Sequence, residues 1–104
     1  MNITTDIKIQ ALPLTDEVRR IARRIIWFEE PEQALADPGR FLCYLMTYGR
    51  PEDIHPIAAI TGWEAFRLAL ENAPPGIMNA RSWNYWNIVL GREPAPPMPE
   101  RVIE

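Results

Sequence analysis

Cysteine, histidine and lysine are nearly absent from this sequence of 104 residues, since each occurs once. A single cysteine, Cys43, excludes a disulfide within the chain and a zinc site built from several cysteines. The only histidine, His55, would have to serve any Ser-His-Asp or Cys-His catalytic set, together with Ser82 or Cys43. We interpret His55 as a surface histidine. Cys43 lies in the apolar run FLCYLM, and we interpret it as a buried, inert thiol.

Long apolar runs and glycine-rich motifs are also missing. No stretch approaches the roughly 20 apolar residues that cross a bilayer. The N-terminal segment MNITTDIKIQ has neither the basic start nor the apolar run of a secretory signal. Neither a GxGxxG nor a P-loop pattern occurs, so the sequence carries no nucleotide-binding signature. These absences predict a cytoplasmic protein with no membrane-spanning segment.

Carboxylates offer little for chemistry. Three glutamates cluster after the first predicted helix, at Glu29, Glu30 and Glu32. Paired carboxylates can perform acid–base catalysis, but the sequence shows no apolar pocket that would raise a pKa, so we expect a solvated loop. His55 with Glu52 or Asp53 gives too few ligands for a metal site. The sequence therefore predicts no enzyme, no cofactor and no bound metal.

What the sequence does contain is the composition of one globular domain. Hydrophobic residues make up 47% and charged residues 24% of the chain, which are ordinary values for a folded domain. The net charge of −3 argues against general polyanion binding, although it leaves room for a local basic patch. We therefore expect a single core rather than disorder or several domains.

Helical periodicity and capping residues predict an all-α fold. We expect a compact orthogonal bundle of five to six short helices at 14–91, with an extended arm at 1–13 and a proline-rich tail at 92–104. Thr15, Asp37 and Asn79 are expected to be the N-caps of the helices that begin at residues 16, 38 and 80. The predicted helices span residues 16–28, 31–35, 38–48, 51–60, 63–72 and 80–90.

The helices at 38–48 and 51–60 have features that suggest how they are placed and where they begin or end. The helix at 38–48 is apolar around much of its circumference, which places it at the centre of the domain. Gly49 is expected to close it in a left-handed conformation. Pro56 either kinks the helix at 51–60 or marks its true start, because proline removes a backbone donor and crowds the preceding turn.

The two ends of the chain lack helical patterns. Ile7 and Ile9 alternate around Lys8, which is typical of a short strand or an extended arm. The tail has four prolines in thirteen residues, a composition that favours polyproline-like structure, and it ends in a small apolar pair, Val102 and Ile103.

The stretch RSWNYWN concentrates aromatic side chains on the last predicted helix. Trp83 and Trp86 share one face, and aromatic residues at helical spacing usually belong to a core. A base-stacking platform is the alternative, but only two arginines flank the stretch, whereas such platforms usually accompany a basic groove. If one ring reaches the surface, we expect Tyr85 or Trp86. Asn84 and Asn87 are expected to face water.

Four arginines on the first helix form the most prominent feature outside the core. Arg19 with Arg23 and Arg20 with Arg24 make two i, i+4 rows outside the apolar face. One interpretation is a solvated face in which Asp16 compensates Arg20. The others are docking of an acidic protein and contact with a DNA backbone, because arginine favours bidentate contacts with carboxylates and phosphates.

Several segments, read in order, carry a resemblance to a known group. These segments are Asp37-Pro-Gly-Arg-Phe-Leu, Met46-Thr-Tyr-Gly49, Pro51-Glu-Asp-Ile54, Ala73-Pro-Pro-Gly-Ile77 and Arg81-Ser-Trp83-x-Tyr-Trp86. Between residues 28 and 91 the chain resembles small helical bacterial proteins encoded beside nucleotidyltransferase toxins of the AbiEii kind. The resemblance implies an antitoxin-like partner of such a toxin, and it supplies no catalytic residues.

Three hypotheses for function follow. The first is a non-enzymatic protein-interaction module whose contacts come from Arg19, Arg20, Arg23 and Arg24 and from the two termini. The second is a small DNA-binding domain, in which the helices at 51–60 and 63–72 form a helix-turn-helix. The third is a homodimer that exchanges its extended ends.

Overall fold

The computed structural model describes residues 9–99, which form six α-helices and no strand. The helices are α1 (Asp16–Ile25), α2 (Pro31–Ala34), α3 (Pro38–Tyr48), α4 (Pro51–Thr61), α5 (Trp63–Glu71) and α6 (Ala80–Val89). The predicted all-α class is confirmed. Across residues 9–99, none of these helices has the length and apolar character needed to cross a membrane.

The ends of the described range pack against the helices without forming regular structure. Leu12 is buried and Ile9 packs against the core. At the other end, Ala95 and Met98 of the tail also pack against it. The expected pattern around Lys8 and the expected apolar pair at 102–103 lie outside the described residues.

Helix α1 begins where predicted and ends earlier. The Thr15 side chain accepts a hydrogen bond from the Val18 N–H at 3.2 Å, which satisfies one free donor of the first turn. The predicted end near Phe28 is wrong, because the backbone leaves the helical region at Ile26. The side chain of Ile26 is fully buried there, whereas the side chains of Trp27 and Phe28 are exposed.

Helix α3 lies at the centre of the bundle, as predicted. It contacts α1, α4, α5 and α6. Five of its side chains are buried, namely Phe41, Leu42, Cys43, Leu45 and Met46. Asp37 caps its N-terminus by accepting a hydrogen bond from the Arg40 N–H at 3.2 Å. The core therefore forms around this one helix.

Gly49 ends α3 in a way that the sequence did not indicate. The predicted left-handed conformation is wrong, because Gly49 is extended, with φ −78° and ψ 152°. Only one residue, Arg50, separates Gly49 from α4, and the chain crosses to that helix in extended form. Glycine is needed for space: a Cβ here would lie 2.6 Å from the Leu45 carbonyl oxygen.

Helix α4 runs continuously through Pro56. The alternative in which the helix starts at Pro56 is wrong, because α4 begins at Pro51. The ring of Pro56 removes the donor for the Glu52 carbonyl, and Glu52 is exposed, so water can replace that donor. Gly62, at φ 81°, then separates α4 from α5.

Helix α6 is capped by Asn79, whose side chain accepts a hydrogen bond from the Ser82 N–H at 2.8 Å. Trp83 and Trp86 are buried and Tyr85 is exposed, which confirms the core interpretation for the two tryptophans. Asn84 is exposed as expected. The expectation that Asn87 faces water is wrong: it is buried, four residues after Trp83, and its Nδ2 donates to the Trp83 carbonyl at 2.8 Å.

Candidate functional site

The four arginines of α1 fall into two classes. Arg19 lies 3.1 Å from the carboxylate of Glu32 on α2, and Arg24 donates a hydrogen bond to the carboxylate of Asp53 on α4. Arg24 therefore links α1 to a buried group of α4, whereas the pair of Arg19 and Glu32 is solvent-exposed and contributes little to stability. The sequence presented both arginines as partner-binding residues and gave no sign of these contacts.

Arg20 and Arg23 form the other class. Both are exposed, and no carboxylate of residues 9–99 forms an ion pair with either of them. The expected compensation of Arg20 by Asp16 is therefore not formed. Among the four arginines predicted to bind a partner, Arg20 and Arg23 are therefore the two whose charge is exposed to solvent without an ion pair from the described residues.

Asp53 is the main acidic group that α1 engages. It is buried, and it accepts hydrogen bonds from the Arg24 guanidinium and from the Arg50 N–H, the second at 3.1 Å. A buried carboxylate needs such partners because its charge has lost most of its hydration. The sequence identified Asp53 only as an inadequate metal ligand, and its structural role was missed.

The expectation of a solvated glutamate loop is wrong for Glu29. Both oxygens of its carboxylate accept hydrogen bonds from the Arg40 guanidinium, at 2.9 and 2.8 Å. This bidentate pair lowers the pKa of Glu29 and raises that of Arg40. Glu30 is exposed as expected. The Arg40 guanidinium also lies over the ring of Tyr44, 5.2 Å from its centroid. The ion pair of Glu29 and Arg40 is therefore in contact with a group of aromatic side chains.

That group is an aromatic surface made of Trp27, Phe28, Tyr44 and Tyr48. Trp27 meets Phe28 edge to face at 5.5 Å, Phe28 meets Tyr44 at 6.0 Å, and Tyr44 stacks on Tyr48 at 6.2 Å. Trp27 is 77% exposed, and Phe28 and Tyr48 are more than half exposed. A contiguous exposed patch of large rings is unusual on a monomer surface and is typical of a docking site.

A second feature is a groove between the end of α3 and the helices α4, α5 and α6. Its volume is about 470 Å³. Six apolar or aromatic side chains contribute to its lining, namely Met46, Ile54, Trp63, Tyr85, Trp86 and Val89. The sequence analysis assigned the rings of α6 to the core alone, so this groove is a correction. Trp86 is both a core residue and part of the groove lining.

The groove lining also includes the polar side chains of His55, Arg81 and Ser82. His55 is exposed, as expected, but it lies beside aromatic rings rather than on an isolated surface. Arg81 and Ser82 belong to the first turn of α6, where the partial positive charge of the helix dipole favours negative groups. A lining of mainly apolar and aromatic side chains with a few polar groups is typical of a small-molecule site.

Cys43 lies away from both surfaces. It is fully buried, and its thiol lies 3.5 Å from the Ala69 carbonyl, to which it donates a weak hydrogen bond. Burial, with a smaller effect of the Asp37 charge, raises the pKa of Cys43 to about 12. A thiol with this pKa stays protonated at neutral pH, and the interpretation of Cys43 as a buried thiol is confirmed. Elsewhere in the described part of the chain, no three His, Cys, Asp or Glu side chains gather as metal ligands.

The features that prompted the DNA-binding hypothesis take a different form in the structure. Helices α4 and α5 are joined through Gly62 alone, whereas a helix-turn-helix uses a turn of three or four residues. The one arginine of α5, Arg67, lies 3.3 Å from Glu64 on the same helix. Neither feature favours insertion of α5 into a DNA groove.

Comparison of the chain with protein-family models, with curated proteins and with solved structures finds no match. The geometry of the two surfaces is therefore the basis for any assignment of function.

Proposed function

We propose that this protein is a non-enzymatic interaction module that binds a protein partner through the aromatic surface and the adjacent arginines of α1. The observation that carries the proposal is the exposure of Trp27, which is 77% accessible and packs edge to face on Phe28. Tryptophan, tyrosine and arginine are the residue types that most often dominate binding energy at protein interfaces.

Charge indicates what kind of partner fits this surface. Trp27 lies four positions after Arg23, so their Cα atoms lie within about 15 Å of each other along even a fully extended chain. Arg20 and Arg23 are exposed without an ion pair from residues 9–99. A partner with an acidic rim around an apolar depression would match both the rings and the charges.

The resemblance to proteins encoded beside AbiEii-type nucleotidyltransferases supplies a candidate for that partner. In this proposal the chain is the antitoxin-like partner of a nucleotidyltransferase toxin, and it inhibits by docking rather than by chemistry. A homodimer formed through the same surface is the alternative occupant, and the experiment below separates the two.

The test is co-expression of the tagged protein with the nucleotidyltransferase encoded next to it, followed by affinity purification and measurement of the dissociation constant. We expect a complex, and we expect Trp27→Ala to weaken it at least tenfold, because removal of a central aromatic contact typically has such an effect. Joint replacement of Arg20 and Arg23 by glutamine should slow association and reduce the dependence on salt.

Arg67→Gln is the matched control, since Arg67 is an exposed arginine on α5 and belongs neither to α1 nor to the aromatic surface. It should leave the affinity unchanged. Recovery of the protein alone, or a complex insensitive to Trp27→Ala, would overturn the proposal. Sedimentation of the isolated protein tests self-association. A dimer that becomes monomeric in the Trp27→Ala variant would assign the surface to self-association instead.

A further inference from the structure

We propose that the groove lined by Trp63, Tyr85 and Trp86 is a binding site for a small aromatic carboxylate. This inference is independent of the proposed function, because the groove and the aromatic surface have no residue in common.

The size and rigidity of the groove suit a small molecule. Its volume of about 470 Å³ falls within the range of 300–1,000 Å³ that is usual for ligand pockets. The Trp86 indole N–H donates to the Met46 carbonyl at 2.9 Å, and this buried bond fixes the ring in place. A wall that is already ordered loses little entropy when a ligand binds.

The arrangement of the rings favours a flat ligand. Trp63 lies beside Trp86 with a centroid separation of 6.2 Å and an interplanar angle of 30°, and Tyr85 meets Trp86 edge-on at 5.4 Å. Trp63 is 46% exposed and Tyr85 is more than half exposed, so both rings have free surface next to the buried Trp86. An added aromatic ring can stack or pack edge-on against these faces.

The charge at the groove has the opposite sign to that of the whole chain. The net charge is −3, but the charged and titratable side chains lining the groove are Arg81, His55 and Tyr85, and no carboxylate from the described residues joins them. A ligand that carries a negative group would therefore complement the charge of the side chains that line the groove.

Three of the four acidic side chains on the neighbouring helices α4 and α5 are engaged elsewhere. On α4, Glu52 lies 3.5 Å from Arg50, and Asp53 is bound by Arg24. On α5, Glu64 lies 3.3 Å from Arg67, whereas Glu71, at the far end of the helix from Trp63, is exposed and does not line the groove. The sequence of α6, ARSWNYWNIV, contains no acid.

The donor set distinguishes a carboxylate from a phosphate. The groove lining contains one guanidinium, that of Arg81, together with Ser82 and His55, and a single guanidinium can bind the two oxygens of a singly charged carboxylate. Phosphate groups carry more charge and are usually held by several cations or by a glycine-rich loop of backbone donors, and the sequence has no such loop.

The experiment is a two-dimensional ¹H–¹⁵N titration of the full chain with three probes of closely similar shape: indole-3-acetate, 3-methylindole and tryptamine. We expect indole-3-acetate to bind with a dissociation constant near 1 mM or below and to shift the indole resonances of Trp63 and Trp86. The neutral probe should bind at least fivefold more weakly, and the cationic probe should bind more weakly still.

Three variants locate the site. Arg81→Gln should weaken indole-3-acetate at least tenfold and leave 3-methylindole unchanged, because only the anion uses the guanidinium. Trp63→Ala should weaken both probes. The exposed control Arg67→Gln should alter neither.

The outcomes that would overturn the inference are equally specific. They are no resonance shift at 10 mM indole-3-acetate, equal affinity for all three probes, or shifts confined to residues outside the groove. Arg81 and Trp63 are both exposed, and a native-like spectrum of each variant confirms that the comparison is between folded proteins.

Discussion

Neighbouring arginines on α1 have different roles, and the difference depends on what each side chain reaches. Arg24 reaches the buried carboxylate of Asp53, whereas Arg23 is exposed and pairs with no carboxylate in the described range. The sequence predicted one face of four equivalent arginines. Helical spacing shows which residues share a face, but it does not show which acidic residue from a distant part of the sequence contacts each of them. A contact between residues 24 and 53 depends on how the bundle places α4 relative to α1.

We predict that Arg24→Gln lowers the free energy of unfolding by about 1–2 kcal/mol, because it leaves a buried carboxylate with fewer partners. The effect stays below that of a fully buried ion pair, since the Arg24 side chain is 44% exposed and Asp53 keeps its bond from the Arg50 N–H. Urea unfolding followed by circular dichroism measures this change.

Arg23→Gln is the matched control for that substitution, because it removes the same group from the next position of the same helix. Its effect on unfolding should be within 0.5 kcal/mol of zero by the usual behaviour of exposed sites, that is, about the noise of the method. Equal destabilisation by the two variants would contradict the structural role of Arg24.

The burial of Asn87 could have been predicted from its position on α6. Residues 83, 86, 87 and 90 follow the i, i+3, i+4, i+7 pattern of one buried face. The polarity of the amide led to the opposite expectation. Its Nδ2 donates to the Trp83 carbonyl, whereas its Oδ1 is buried and accepts no hydrogen bond from the described residues, so the amide is only partly satisfied within the apolar face.

At the scale of elements, the helix starts were predictable and the helix ends were less so. Thr15, Asp37 and Asn79 cap the helices that the sequence assigned to them, because capping depends on a side chain and a backbone N–H only three residues apart. The end of α1 and the conformation of Gly49 depend on neighbouring helices, and local sequence carries little information about those.

Gly39, in the first turn of α3, and Gly49, which directly follows α3, give predictions of opposite sign for replacement by alanine. A Cβ at Gly49 would meet the Leu45 carbonyl oxygen at 2.6 Å, so Gly49→Ala should destabilise the protein by about 1–3 kcal/mol. A Cβ at Gly39 would meet its nearest atom, Cδ1 of Ile9, at 3.6 Å, an ordinary contact. Gly39→Ala should stabilise the protein by about 0.4–1 kcal/mol, through reduced freedom of the unfolded chain.

Thermal and urea unfolding of both glycine variants provide the measurement. A neutral or stabilising Gly49→Ala would show that the Leu45 turn relaxes to accept a methyl group, which contradicts the close approach described here.

At the scale of the whole molecule, the all-α class followed from helical periodicity, but the groove did not. Its lining comes from the end of α3 and from three further helices, and Trp63 and Trp86 are 23 positions apart in the sequence. No local pattern indicates that two such rings meet. The aromatic surface is similar, because Phe28 follows α1 and Tyr44 belongs to α3.

The proline-rich tail is tied to the bundle by Trp83, whose indole N–H donates to the Pro96 carbonyl at 2.7 Å. We predict that removal of residues 92–104 lowers the free energy of unfolding by about 1–3 kcal/mol, from loss of this bond and of apolar contacts with Ala95 and Met98. Urea unfolding tests this, with the exposed Pro97→Ala as control. An unchanged midpoint after the truncation would show that the tail contributes nothing to the fold.

The four tryptophans occupy four different environments: Trp27 on the aromatic surface, Trp63 at the groove, Trp83 under the tail and Trp86 in the core. Incorporation of fluorotryptophan would therefore give four reporters in one spectrum, in which Trp63 and Trp86 both report on the groove and Trp86 also reports on the core. Partner docking, occupancy of the groove, release of the tail and loosening of the interior could then be followed in a single sample.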